Sequence, residues 1–353
     1  MAISIFDPRV MDQMVRVMPS TGGFFRDTFF KRRVPVTGTK IDVDFYKGKR
    51  RIAPFINPRG AGKSVEKIGY KTDTFETPVL RPLDILTIED LSVRAPGENV
   101  YGGLTREDRA IQIMTDKLIE FNDQIIRREE WMCSRAMLTG KIPVVGEGVN
   151  YEIDFSFTNT DTLEGAALWS AETSKPLDDL ERWILACKQN GYRTPNVCLM
   201  ARDAYSAFIN HAKVQKLLDI LNMNLAVIEP RMLSENVTYG GTIPQWNLSI
   251  YIYDEWFLDD WTDPVNPAEE PIVPSGTVLL GSTNMRADIY YGEITIADPA
   301  SASGFRSVIG EKVADSWIEK NPDRRMLSLE SRPLPVPHEV DSWFVATVLD
   351  EAA

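Results

Sequence analysis

Between Thr39 and Phe45 the apolar residues Ile41, Val43 and Phe45 alternate with Lys40, Asp42 and Asp44, the period of two of a half-exposed strand. Tyr70 to Phe75 alternates again and is rich in β-formers, so the two segments predict the limbs of a two-stranded ribbon. Residues 46–80 hold Gly48, Pro54, Pro58, Gly60, Gly62, Gly69 and Pro78, with too few apolar positions for a core of their own. That composition predicts a long projecting loop. A lone hairpin of this kind is marginal in water and needs a surface to lie on.

The clearest helix opens at Thr105, where Asp108 three residues on resembles a capping box and Glu107 suits the positive end of the dipole. Ile111, Met114, Leu118, Phe121, Ile125, Met132 and Ala136 draw one apolar stripe until Gly140 supplies a stop. About 34 helical residues make a rod of roughly 50 Å, longer than most helices and suited to a structural spine. Lys141 to Phe157 reads as strands around the turn Gly146-Glu147-Gly148. Pro176 then precedes Leu177, Leu180, Trp183, Ile184 and Cys187, a helical spacing that ends at Asn190-Gly191. A strand from Asn196 to Met200, a helix from Ala201 to Leu221, and strands at Asn247–Tyr253 and Thr277–Gly281 complete a mixed α+β body around 177–280. Ahead of all these, Phe24 to Phe30 reads as an arm carrying a sticky helical turn.

A chain of 353 residues, 43% of them hydrophobic, can bury a sizeable core as two compact units or as one with long extensions. No apolar run approaches the roughly 20 residues of a membrane helix, and Met1 to Pro8 lacks the features of a secretory signal, so a soluble protein of cytoplasmic origin is expected. The formal charge of −12 disfavours general binding to duplex DNA. Its distribution says more. Lys31 to Thr72 carries 12 basic residues against Asp42, Asp44 and Glu66, a local +9. From Asp254 to Glu270, seven acids face no basic residue. Copies of one chain can attract each other through such opposed stretches.

Candidate chemistry is sparse. Asn57-Pro58-Arg59-Gly60-Ala61-Gly62-Lys63-Ser64 misses the phosphate-cradling GxxxxGK[ST] loop by its first glycine alone, and Leu248 to Glu255 looks like an apolar strand ending in magnesium-binding acids. A P-loop-like nucleotide hydrolase at 57–64 is therefore the alternative reading. Its context is wrong, because the loop must leave a buried strand and open a helix, whereas Pro54 and Pro58 break the approach and Val65 to Phe75 is strand-like. Cys133, Cys187 and Cys198 form no metal-binding pair and read as small buried hydrophobes. His211 and His338 read as structural or solvated, and carboxylate pairs such as Asp178-Asp179 and Asp259-Asp260 as solvated faces. No catalytic residue, cofactor or metal is expected, and the chain reads as not an enzyme.

A basic ribbon, a long helix and an α+β body, in that order, resemble the Hong Kong 97 type coat fold of tailed phages. The chain is similar to the lambda-type family known as phage major capsid protein E. That likeness is firmest at Thr277 to Thr283 with Arg286 and Tyr290-Tyr291-Gly292, and at Trp317 to Arg325. Ser331 to Pro337, Asp341 and an apolar terminal strand resemble the family's closing segment. It implies an N-terminal arm and first strand at 1–45, an E-loop at 46–80, and a P-domain at 81–176 with its spine helix at about 105–139. An A-domain follows at 177–280, and the return segment 281–353 completes the P-domain and ends in the C-terminal strand.

The same resemblance implies a coat protein that self-assembles into the icosahedral head shell around packaged double-stranded DNA. Shells of this fold are expected to form as a procapsid that expands when DNA enters. The expected partners are further copies as pentamers and hexamers, a scaffolding protein or protease during assembly, a portal at one vertex, and a decoration protein. DNA would be enclosed without sequence-specific binding, in a virion assembled in the host bacterial cytoplasm, with no membrane involved. A nonviral cargo compartment of the same fold is a further alternative. The candidate inter-subunit contacts are Lys47, Arg50, Arg51, Arg59 and Lys63, which would meet acidic surface on a neighbour.

Overall fold

The computed structural model describes Met11 and residues 22–46, 52–53, 55, 58, 70–92, 105–146, 148–215, 231–234, 236–260, 265–298, 304–321 and 323–350. Its axis is a helix of 33 residues, Arg106–Leu138, about 50 Å long. Thr105 caps it, its hydroxyl accepting from the amide of Asp108 at 3.1 Å and donating to the Asp108 carboxylate at 2.6 Å. Gly140, at φ +70, turns the chain out of the helix; a Cβ there would lie 2.2 Å from that of Phe157. The expected helix is thus found with the start and stop read from its sequence.

The two halves of this helix pack differently. Met114, Leu118, Phe121 and Ile125 lie against Ala314, Leu327 and Leu329. These last three belong to a three-stranded sheet ordered 313–320, 323–330 and 83–86, all antiparallel. From Glu129 onward nearly every residue is buried, and Trp131 to Leu138 joins the main core.

That core fills a mixed seven-stranded sheet whose order is 160–162, 344–347, 277–281, 197–200, 248–253, 237–243, 231–234. The central strands Val197–Met200 and Thr277–Gly281 are buried at every position, as strands covered on both faces must be. The helix Pro176–Asn190 forms as its sequence predicts, with proline in the first turn. Leu180, Trp183, Ile184 and Cys187 turn inward, and Trp183 stacks on Trp169 and Phe344.

One expectation needs correction. The helix beginning after Ala201 runs to Asn210, breaks at His211 and resumes over 212–215, so the single helix expected to Leu221 is interrupted. His211 there takes an extended conformation and is buried, its Nε2 lying 3.1 Å from the Ser174 hydroxyl; residues 216–230 lie outside the described set. Phe24 to Phe30 forms the expected helical turn, Phe24–Thr28, and its apolar side chains are used within the subunit. Phe25, Phe29 and Phe30 are at most 1% exposed and sit in the main core.

Trp343 ties the C-terminal segment to the long helix. It is fully buried, stacks on Phe157 at 4.7 Å, and donates from Nε1 to the Met137 carbonyl at 2.6 Å. Trp343→Ala therefore removes a large side chain and orphans nothing but a helix-end carbonyl, for an expected loss of about 3–5 kcal/mol. Trp343→Phe keeps the stack and should lose less than half of that. Urea unfolding of both variants checks the ranking, and equal losses would show that the hydrogen bond rather than the packing dominates.

Candidate subunit-contact surfaces

The ribbon expected from the alternating segments is present. Lys40–Tyr46 pairs antiparallel with Tyr70–Glu76, in register from Lys40 opposite Glu76 to Tyr46 opposite Tyr70. Ile41 and Val43 are buried, and the rings of Phe45 and Phe75 gather around Phe155 at 6.5 and 5.5 Å. On the other face Thr74 and Thr72 donate to Asp42 and Asp44 at 2.6 Å each. The surface that a lone hairpin lacks is thus supplied at the root by the chain's own body. Farther out, Ile52 is 93% exposed and Phe55 is fully exposed. The five basic candidates Lys47, Arg50, Arg51, Arg59 and Lys63 lie outside the described residues.

The phosphate-loop reading finds no support in the flanking structure. Residues 57–64, of which Pro58 alone is described, fall between two strands that pair with each other, not between a buried strand and a helix. Asp254, at the end of the supposed metal-binding strand, is engaged by Arg202, whose Nε donates to it at 2.8 Å.

The acidic stretch forms a second hairpin, Trp256–Asp259 antiparallel to Ala268–Pro271. Leu258 lies opposite Glu269 and Trp256 opposite Pro271 on one face, while Phe257 and Glu270 share the other. The inner face packs on the long helix: Phe257 meets the ring of Trp131 at 6.2 Å, and Arg135 lies 4.0 Å from Glu270. Arg128 and Arg135 flank the Trp131 ring at 4.4 and 5.6 Å. Burial pushes the Arg128 guanidinium down to about 10, partly offset by Asp259 and Asp260. The outer face leaves Trp256 and Leu258 more than half exposed among acids. The charge of this segment is legible in the sequence, whereas its apolar outer face is not, because Trp256, Phe257 and Leu258 form an unbroken apolar run.

A third exposed apolar surface lies on the three-stranded sheet, on the face turned from the helix. Ile85, Met326 and Trp317 form one cross-strand row, with Ile85 and Trp317 partly exposed.

Sequence reasoning missed the buried carboxylates of the long helix. Glu130 is 3% exposed and accepts from the amides of Phe25 at 2.8 Å and Arg26 at 2.9 Å, and from the Tyr253 hydroxyl at 3.0 Å. A Cβ on Gly23 would lie 2.3 Å from its oxygen, so the chain before the short helix passes at contact distance. Glu129 accepts from Tyr291 at 3.2 Å and from Arg26 at 3.4 Å. Burial pushes the Glu130 carboxyl up to about 7 against the opposing pull of those donors, and raises Glu129 as well. Two adjacent acids on a helix ordinarily mark a solvated face, so only the tertiary structure reveals them.

Ribbon, spine-like helix and mixed body together define the α+β coat fold of the Hong Kong 97 type. The chain belongs to the phage major capsid protein E family, whose sequence profile matches residues 7–348. It is accordingly a major capsid protein of a bacteriophage, a structural protein of the head shell. The major capsid protein of Escherichia phage lambda is 23% identical over 328 residues, spanning 90% of this chain and 92% of that one. The major capsid protein of Enterobacteria phage P21 is 23% identical over 330 residues, with 92% and 93% covered. Among solved structures, a putative prophage capsid protein from E. coli CFT073 superposes with a TM-score of 0.72 at 17% identity, covering 98% of this chain and all of the other. A phage-related protein from Bordetella bronchiseptica RB50 gives 0.58 at 14% identity, with 98% of each chain covered.

The Glu130 site sets a pH dependence. Its folded carboxyl holds a proton up to about 7, above the ordinary 4.5, so between these values the folded chain binds more protons than the unfolded one. Stability from this group is present at low pH and falls as pH rises through the window. Glu130→Gln sets an amide donor against a backbone donor and removes the titration. The stability deficit of Glu130→Gln in urea should therefore be larger at pH 5 than at pH 8; an equal deficit at both would show that Glu130 stays ionised.

Proposed function

We propose that this capsid protein self-assembles into an icosahedral head shell that encloses packaged double-stranded DNA, each subunit reaching its neighbours through the ribbon and the three-stranded sheet. The observation that carries this reading is the pairing of a rigid, deeply packed body with a ribbon whose root is anchored and whose outer residues Ile52 and Phe55 stand in solvent. Exposed aromatic and aliphatic side chains beside a run of basic residues are unfavourable in a lone subunit and useful in an assembled one.

In this reading residues 1–45 form the arm and first strand, 46–80 the E-loop, 81–176 the P-domain around its spine helix, and 177–280 the A-domain. The segment 281–353 completes the P-domain. Subunits associate as pentamers and hexamers, with a scaffolding protein or protease during assembly in the host cytoplasm, a portal at one vertex and a decoration protein outside. The net charge of −12 keeps the wall from trapping DNA, so the genome is enclosed without sequence-specific contact.

Lys47, Arg50, Arg51, Arg59 and Lys63 are the basic residues through which the E-loop meets acidic surface on a neighbour. Single exposed ion pairs contribute about 0–1 kcal/mol each, so buried area holds the shell while charge sets register and salt dependence. Changing all five to Glu should leave a folded subunit, by circular dichroism, that fails to form closed particles in sedimentation and negative-stain electron microscopy. Normal particles from that variant would remove the role assigned to these residues, and a wild-type chain that stays monomeric with every scaffold would remove the assembly reading itself.

A further inference from the structure

We propose that the outer face of the acidic hairpin, Trp256–Asp259 with Ala268–Pro271, is the seat on which the ribbon tip of a second copy of this chain docks. This rests on the assembly reading above and adds where the ribbon lands and what holds it there. Each half of the contact carries the same two features with opposite charge. The tip presents Ile52 and Phe55, and the stretch from Lys47 to Val65 carries six basic residues and no acid. The hairpin presents Trp256 at 56% and Leu258 at 51% exposure, and the stretch from Asp254 to Glu270 carries seven acids and no base.

Within one chain both halves stand open. Ile52 and Phe55 are almost wholly exposed, and Trp256 and Leu258 face outward although Phe257 between them is buried against Trp131. The hairpin is rigidly founded, since its inner face is held by Phe257 on Trp131 and by Glu270 near Arg135 of the long helix. Glu269, directly across from Leu258, and Asp260 at the strand's end both lie exposed beside the apolar pair. An approaching tip therefore meets apolar surface flanked by two carboxylates. Nucleic acid is a poor occupant of such a face, because phosphates would meet the exposed carboxylates of Asp260 and Glu269.

The direct test is covalent. Cys133, Cys187 and Cys198 are all buried, so cysteines introduced on the surface react alone. Particles would be assembled from an equal mixture of Ile52→Cys and Leu258→Cys chains and oxidised. Covalent dimers that need both chains are expected, along with a ladder of multimers from the double variant. Closed particles without these dimers overturn the docking site while leaving the assembly reading intact. So does a link formed solely within single chains of the double variant. Failure of the unmodified chain to assemble at all defeats the assembly reading and this inference with it.

A charge swap supplies an independent measurement. Asp260→Lys with Glu269→Lys, and separately Arg50→Glu with Arg51→Glu, should each lower particle yield by about tenfold at moderate salt. Combining the four substitutions should restore most of that loss. A combined variant no better than the worse of its parents contradicts the contact.

Discussion

Two carboxylates in the middle of the molecule organise everything around them. Glu129 and Glu130 enter the core on the long helix, and a buried acid is costly unless donors meet it. The donors come from far along the chain: the amides and guanidinium of residues 25–26, Tyr253 from the large sheet, and Tyr291 from the strand Ala287–Tyr291, which pairs with Arg32–Pro35 and Pro333–Pro337 in a separate sheet. Satisfying the two acids therefore fixes the N-terminal segment and two sheets on one helix. The phenylalanines that follow the captured amides are thereby placed in the core, with Phe25 against Tyr253 and Phe29 against Gly281, where a Cβ would lie 2.6 Å from its ring.

This interior anchoring explains how one chain can be rigid at its centre and reaching at its edges. The same helix carries the inner face of the acidic hairpin on Trp131, and its end supports the turn at Gly140 that leads to Phe155 under the ribbon. Both halves of the inferred contact thus start from one stiff element. Coat proteins must repeat a single geometry many times over, and a ribbon rooted on a rigid body holds its direction better than one hinged on a loop. Opposite charge at the two ends favours the correct neighbour and opposes tip-to-tip or hairpin-to-hairpin encounters.

Local chemistry in the sequence is enough to place the long helix, because a Thr cap, an Asp three residues on and a terminal Gly act within a single turn. The Pro176 helix and the two ribbon limbs are legible for the same reason. The helix after Ala201 is broken at His211 because that side chain is drawn into a buried contact with Ser174, a tertiary event that no local pattern records. Phe24 to Phe30 shows its stickiness in sequence but not its destination, which depends on a carboxylate acceptor 104 residues away. In the same way Trp256 and Leu258 can be told from Phe257 once the hairpin's register is known. The basic and acidic stretches are plain in the sequence, while the apolar side chains that give their encounter adhesion emerge with the fold.

The most direct measurement is an electron cryomicroscopy reconstruction of particles formed by this chain, at a resolution that separates side chains. The account predicts closed shells in which the segment holding Ile52 and Phe55 leaves its own subunit and covers Trp256 and Leu258 of the next. A shell whose ribbons fold back onto their own subunits, with the acidic hairpins left in solvent, would contradict it.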